Sequence, residues 1–147
     1  LQDSWMRDYG FLGGDRDMGL VEDILKAMPP SKIITINEST PISEIIGLFK
    51  HHGVSQVPVV DNAGHPIGMV HEVDVLRGLQ VGGTDGVTTS SPAKSVSHPM
   101  GGMIYPKARV EELFRIFETD QVGVVVDNGK IVGIVSKVDV LDFMMKR

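Results

Sequence analysis

The sequence has no cysteine, which excludes disulfide cross-links and thiolate metal sites but does not by itself name a compartment. It also lacks any apolar run approaching the length of a membrane-spanning helix, because Lys, Asp, Asn or Gly interrupts each one. No signal-peptide pattern precedes the first expected helix, so the cytoplasm is the expected location. Positive charge is sparse and scattered. The formal net charge is -5, with no clustered Lys/Arg run, which argues against nucleic acid or an anionic membrane as the main partner. Gly82-Gly83 has neither the lysine nor the following helix of a phosphate loop. No nucleophile with a base and an orienting group, and no metal cage, can be assembled, so the chain is read as non-catalytic. His51, His52, His65 and His98 show no ligand spacing, and no metal is expected.

What the sequence does contain is a repeat. Gly133-Ile134-Val135-Ser136-Lys137-Val138-Asp139-Val140-Leu141 matches Gly68-Met69-Val70-His71-Glu72-Val73-Asp74-Val75-Leu76 in register, with His71 standing where Ser136 stands. Upstream, Val59-Val60-Asp61-Asn62 answers Val125-Val126-Asp127-Asn128, each followed through a Gly-containing turn by a second strand, the pattern of a β-hairpin. Further back, Ile42, Ile45, Ile46 and Phe49 match Val110, Leu113, Phe114 and Phe117. Both sets fall at i, i+3, i+4, i+7, the apolar stripe of an amphipathic helix. Each copy therefore reads strand, helix, strand, strand, helix, too small to bury much core alone but able to do so when two pack together.

The predicted organisation is an α/β (α+β) fold of two β-α-β-β-α repeats. Residues 1–19 form an N-terminal connecting segment with a short helix, 20–81 the first repeat, 82–91 a polar linker and 92–147 the second repeat. The opening segment carries Trp5, Phe11 and Leu12, too apolar for a free tail, which pack on this domain or on a neighbouring one. Residues 20–28 are expected to form a helix stopped by Pro29-Pro30. Ile33-Ile34-Thr35-Ile36 reads as the first strand of the first repeat, and residues 37–40 supply turn and cap residues. Residues 100–103 are read as a flexible start to the matching strand of the second repeat, with methionine as adaptable core filler.

The repeat with its Gly-h-h-Ser-x-x-Asp-h ending, h being apolar, resembles the tandem CBS domain, the regulatory module named after cystathionine β-synthase. The opening Trp5-Met6-x-x-x-Gly10-Phe11-Leu12 is similar to the segment that follows the catalytic domain in that enzyme family. The resemblance implies two repeats packed as a pseudo-twofold pair with two clefts for adenosyl ligands, and dimerisation of the module. The ligand expected on this basis is S-adenosylmethionine, acting on an attached upstream catalytic domain whose pyridoxal-phosphate chemistry this chain does not contain. The alternatives are AMP, ADP or ATP sensing and a ligand-free dimerisation domain. Lys137 is the only cation inside the second motif, which favours the sulfonium ligand over polyphosphates.

The cleft chemistry follows from residue types. Asp139 falls in the first turn of a helix, where the macrodipole favours its ionised form, and a carboxylate can accept two hydrogen bonds from a ribose diol. Ser136 lies at the strand-helix junction with a hydroxyl that both donates and accepts. Ser-x-x-Asp is equally the spacing of a helix cap, and both roles stay open on spacing alone. By resemblance, Ile33, Ile34 and Thr35 with Val54, Ser55, Gln56 and Val57 face the adenine, and Ile134 and Val138 close the pocket. Val54 stands where many relatives carry a larger or aromatic group, so base stacking is expected to be weaker. A second cleft would pair His71 and Asp74 with Ile104 and Tyr105, near Met103. There the imidazole replaces the hydroxyl, and that cleft is expected to be degenerate or differently selective. The apolar residues of the motif helices, Val75, Leu76 and Leu79 with Val140, Leu141, Phe143 and Met144, supply the expected dimer face.

Overall fold

Two hairpins related by the repeat, each running into a helix, form the frame of the molecule. The computed structural model describes residues 17–80 and 86–146. The aromatic opening segment, with its expected helix, and residues 82–85 of the linker lie outside that range. Along the chain, α1 (Val21–Ala27) is followed by α2 (Ile42–His52), β1 (Gln56–Val60), β2 (Pro66–His71) and α3 (Glu72–Leu79). A 3-10 turn at Ala93–Ser95 then leads into β3 (Met103–Ile104), α4 (Glu111–Ile116), β4 (Val122–Asp127), β5 (Lys130–Ser136) and α5 (Lys137–Met145). This is the expected mixed α and β architecture with two small sheets, β1-β2 and β3-β4-β5.

The hairpins agree in detail. β1 pairs antiparallel with β2, and β4 with β5, and each ladder shifts register at the same place, between Val59 and Val60 and between Val125 and Val126. The shift leaves Ile67 and Val132 outside the pairing, and both side chains are exposed. Gly68 and Gly133 follow these bulges, and each lets another segment approach closely. A Cβ at Gly133 would meet Leu25 Cδ2 at 2.5 Å, and one at Gly68 would meet the His98 carbonyl at 3.0 Å.

The first strand of the first repeat is the main departure from expectation. Of 33–36, only Ile36 pairs, in a single parallel bridge to Val59, with Ile36 N–H donating to the Pro58 carbonyl at 3.0 Å and Val60 N–H to the Ile36 carbonyl at 2.7 Å. The equivalent β3 continues one step further, because Val124 N–H donates to the Gly102 carbonyl at 2.9 Å. In the first repeat that donor position is Pro58, which has no N–H, so the ladder ends and residues 29–35 leave the sheet.

The helix stripes are narrower than the sequence suggests. Ile42, Ile45 and Phe49 are buried on α2, and Val110 and Leu113 at α4, with Phe117 packed alongside. The i+4 members differ. Ile46 is only partly covered and Phe114 is exposed, because each helix meets its lobe along one line of i, i+3 and i+7 contacts.

Two core clusters fill the lobes, and each takes a piece from outside its own repeat. Val21 and Ile24 of α1 pack with Ile104, Val110, Leu113, Val125, Val135 and Val140 of the second repeat. Ala93 and Val96, which precede β3, pack with Ile36, Ile42, Ile45, Val57, Val59 and Val70 of the first. Paired backbone bridges, Leu20 to Arg109 and Pro41 to Pro92, hold these exchanged segments. Residues 87–91 are part of the fold, since the Ser91 and Thr89 carbonyls accept the Ile42 and Ser43 N–H groups that open α2. Met69, Val124 and Val126 form a third cluster that joins the two sheets.

Candidate functional site

Because residues 29–35 leave the sheet, a space opens between them, the β1 entry and the end of β5. The resulting cavity has a volume of about 720 Å3, within the range of small-molecule sites. Its wall includes Ile33 and Ile34, Val54, Ser55 and Gln56, and Ile134 and Ser136. Leu25, Lys26, Met28, Ser31, Lys32, Gln121, Val122 and Gly133 complete much of the remainder. The wall therefore combines the first repeat with the second motif, as the exchange of elements requires.

Four anticipated residues are not on that wall. Thr35 is exposed beyond the point where the chain bends away, and Val57 is buried in the first core cluster. Val138 is 68% exposed on the outer side of α5, so it does not close the cavity. Asp139 is bonded to its neighbour Ser136. One carboxylate oxygen, Oδ2, accepts hydrogen bonds from Ser136 N–H at 2.7 Å and Ser136 Oγ at 2.8 Å, while Asp139 N–H donates to Ser136 Oγ at 3.3 Å. This is a reciprocal cap on α5. Oδ1 has no hydrogen-bond partner among the described residues, and Ser136 itself lines the cavity.

Lys26 and Lys32 are the residues that sequence reasoning missed. Both line the cavity, although neither lies near the second motif in the chain. Lys137 is still the only cation inside the second motif, but the preference for a sulfonium drawn from it did not count these two lysines. Lys26 arrives on α1, which packs against the second repeat, and Lys32 on the segment released by Pro58.

The four residues expected at a second cleft separate. Ile104 is spent on the second core cluster and Tyr105 on solvent. Asp74 repeats the role of Asp139 and accepts the His71 N–H at 2.8 Å. His71 and Asp74 face not β3 but His98, whose Nε2 lies 2.7 Å from His71 Nδ1 and 3.2 Å from Asp74 Oδ2.

Comparison with known proteins places this arrangement. The model of the CBS domain matches residues 21–81 and 97–146. The chain belongs to the CBS-domain family. It carries a CBS pair, a regulatory module. Over 99% of its length it is 25% identical to a cystathionine beta-synthase from Dictyostelium discoideum, of which it spans 31%. Among solved structures it is similar to a CBS-domain containing protein from Agrobacterium tumefaciens, with a TM-score of 0.71 and 21% identity over 87% of this chain and 95% of that one. The CBS-pair protein CBSX2 from Arabidopsis thaliana, solved in complex with AMP, superposes with a TM-score of 0.71 and 20% identity over 87% of this chain and 97% of that one. At these identities the structural likeness speaks to the fold. No helix among the described residues is long and apolar enough to cross a membrane.

Proposed function

We propose that this CBS pair is a regulatory sensor that binds an adenosyl compound in the cavity between residues 29–35 and the Ser136 end of β5. The observation that carries the reading is the cavity wall. Ile33, Ile34, Val54 and Ile134 offer an apolar slot for a base, with Ser136 at its polar end and Asp139 next to it, bonded to the Ser136 hydroxyl. The free Oδ1 of Asp139 is the acceptor for a ribose hydroxyl, and the cap holds the carboxylate in place for it.

S-adenosylmethionine is the leading ligand, supported by the similarity to cystathionine beta-synthase along nearly the whole chain. In that reading residues 1–19 connect to an upstream pyridoxal-phosphate-dependent catalytic domain in the cytoplasm. Residues 20–81 and 92–147 are the two repeats, 82–91 joins them, and ligand binding alters their relative placement. A second reading, AMP, ADP or ATP sensing, is favoured by Lys26 and Lys32 on the wall, where an ammonium group suits a phosphate. The same lysines suit the carboxylate of S-adenosylmethionine. Calorimetric titration with S-adenosylmethionine, AMP and ATP separates these readings. Heat with the first alone supports the leading reading, heat with the nucleotides alone supports the second, and flat traces for all three favour a domain that serves only dimerisation.

A further inference from the structure

The cluster of His71, Asp74 and His98 lies apart from the cavity wall. It joins the start of α3 to the segment before β3, 27 residues away in the chain. From its geometry we infer that it is a binding site for a single zinc-class divalent cation.

The three candidate ligand atoms, His71 Nδ1, His98 Nε2 and Asp74 Oδ2, form a triangle with edges of 2.7, 3.2 and 3.4 Å. Zinc holds nitrogen and oxygen at about 2.0–2.2 Å in a tetrahedron, which places neighbouring ligand atoms roughly 3.3–3.5 Å apart. The 3.4 Å edge already has that length, the 3.2 Å edge is about 0.1 Å short of it, and the 2.7 Å edge opens by a small rotation of either ring. The imidazoles are parallel within 6° with centroids 4.7 Å apart. Since their nitrogens are only 2.7 Å apart, the rings meet edge to edge, with His71 Nδ1 and His98 Nε2 facing each other. An ion about 2.1 Å from all three atoms sits roughly 1 Å out of their plane, leaving a fourth position for water.

The surroundings fix the ligands in the way a metal requires. His98 Nδ1 lies 3.1 Å from the Pro99 carbonyl. Donating its proton there leaves the Nε2 lone pair facing the cluster. Asp74 Oδ2 is oriented by the His71 N–H at 2.8 Å. His98 is held to β2 by two backbone hydrogen bonds with Met69, at 2.9 and 3.0 Å, a contact that the absence of a side chain at Gly68 permits. Without a metal, and with His98 in this tautomer, a proton on His71 Nδ1 would be the only one available to three mutual contacts; with the metal bound, that proton sits on His71 Nε2 instead. Donating the Nδ1 proton to His98 Nε2 leaves that nitrogen's other neighbour, Asp74 Oδ2, as acceptor against acceptor at 3.2 Å. A cation resolves the conflict. Two imidazoles and one carboxylate suit zinc or a similar transition metal and not magnesium, which prefers oxygen ligands. The side chains are 26%, 19% and 40% exposed, open enough for an ion to enter.

The test is calorimetric titration of the chelator-treated 147-residue chain with zinc chloride, alongside cobalt(II) as a spectroscopic probe and magnesium chloride as a control. One zinc per chain is expected, with tetrahedral cobalt absorbance in the visible and no heat from magnesium. His71→Ala and His98→Ala should each weaken zinc binding by more than about 100-fold, since loss of even an outer partner costs about 10–100-fold. Thermal melts without metal establish that each variant folds, and the result must hold for whichever does. The double variant His51→Ala/His52→Ala should bind as the wild type does. Unchanged zinc affinity in a folded His98→Ala chain, or loss of binding in the His51/His52 variant, would overturn the assignment.

Discussion

Asp139 Oδ2 receives both the N–H and the Oγ–H of Ser136, at 2.7 and 2.8 Å. Capping thus uses one oxygen of the carboxylate, and the adenosyl site proposed above uses the other. Replacing Asp139 by Asn keeps a cap acceptor and removes the charge, so its stability should lie within about 1 kcal/mol of wild type. Asp139→Ala loses the cap as well, and should be less stable by about 0.5–2 kcal/mol in urea unfolding.

Pro58 interrupts the β-ladder where Val124 extends it in the other repeat. Pro58→Val restores the missing donor. The carbonyl of residue 34 should then be captured by the new N–H, drawing residues 33–35 toward the sheet and narrowing the cavity. Hydrogen exchange should show a protected amide at position 58, and the affinity for the adenosyl ligand should fall. A freely exchanging amide would count against this reading of the fold.

Gly133 lies under Leu25, with 2.5 Å between an added Cβ and Leu25 Cδ2. Gly133→Ala should push α1 away from β5 and destabilise the chain by about 1–3 kcal/mol, the usual penalty for overpacking. A thermal melt should report a fall of several degrees. Gly47, with open space around its Cβ, supplies the control, and Ala there should stabilise α2 by about 0.5–1 kcal/mol.

The expected dimer face is revised by burial. Val75 and Val140 are buried in their own lobes, whereas Leu76 and Leu141, equivalent across the repeat, are 69% and 57% exposed, with Val73 and Val138 beside them. These outer residues are the ones a second module would cover. If they do so, wild type sediments as a dimer at micromolar concentration and Leu76→Asp/Leu141→Asp as a folded monomer.

Asp61 closes the first hairpin. Its carboxyl is held below its usual value of 3.8, chiefly by the His65 N–H, with the Ala63 N–H and the His65 ring adding to the effect. A depressed folded-state pKa contributes stability that is present above the unfolded value and is lost as pH falls through the folded one. Asp61→Asn should therefore be less stable than wild type at neutral pH, and the difference should shrink below pH 3.8, read as urea midpoints across that range.

Much of the fold was legible because the repeat supplies two readings of each element. The hairpins, the capped motif helices and the burial of Ile45 and Leu113 follow from patterns present twice. The loss of the first strand turned on one missing donor at Pro58, which matters only once its register against Ile36 is known. Of the residues on the cavity wall, Ser136 was legible from local pattern and Ile33, Ile34 and residues 54–56 from the family resemblance, whereas Asp139 was legible correctly only as the cap of α5. Lys26 and His98 were not. Both owe their places to segments exchanged between the repeats, and no local spacing records that exchange.

The most direct measurement is ligand-dependent melting of wild type, Asp139→Ala and Asp74→Ala with S-adenosylmethionine, AMP and ATP. A ligand at 100 times its dissociation constant stabilises the native state by about 2.7 kcal/mol, enough to raise Tm visibly. In the proposed site, where Asp139 accepts the ribose hydroxyl, its removal costs about 2–4 kcal/mol of binding, roughly thirtyfold or more in affinity. The expected result is a rise for wild type and for Asp74→Ala with one adenosyl ligand, and none for Asp139→Ala at the same concentration. An undiminished rise in Asp139→Ala, with loss of the rise in Asp74→Ala, would put the ligand at the His71 end of the molecule and leave Ser136 and Asp139 as a helix cap alone.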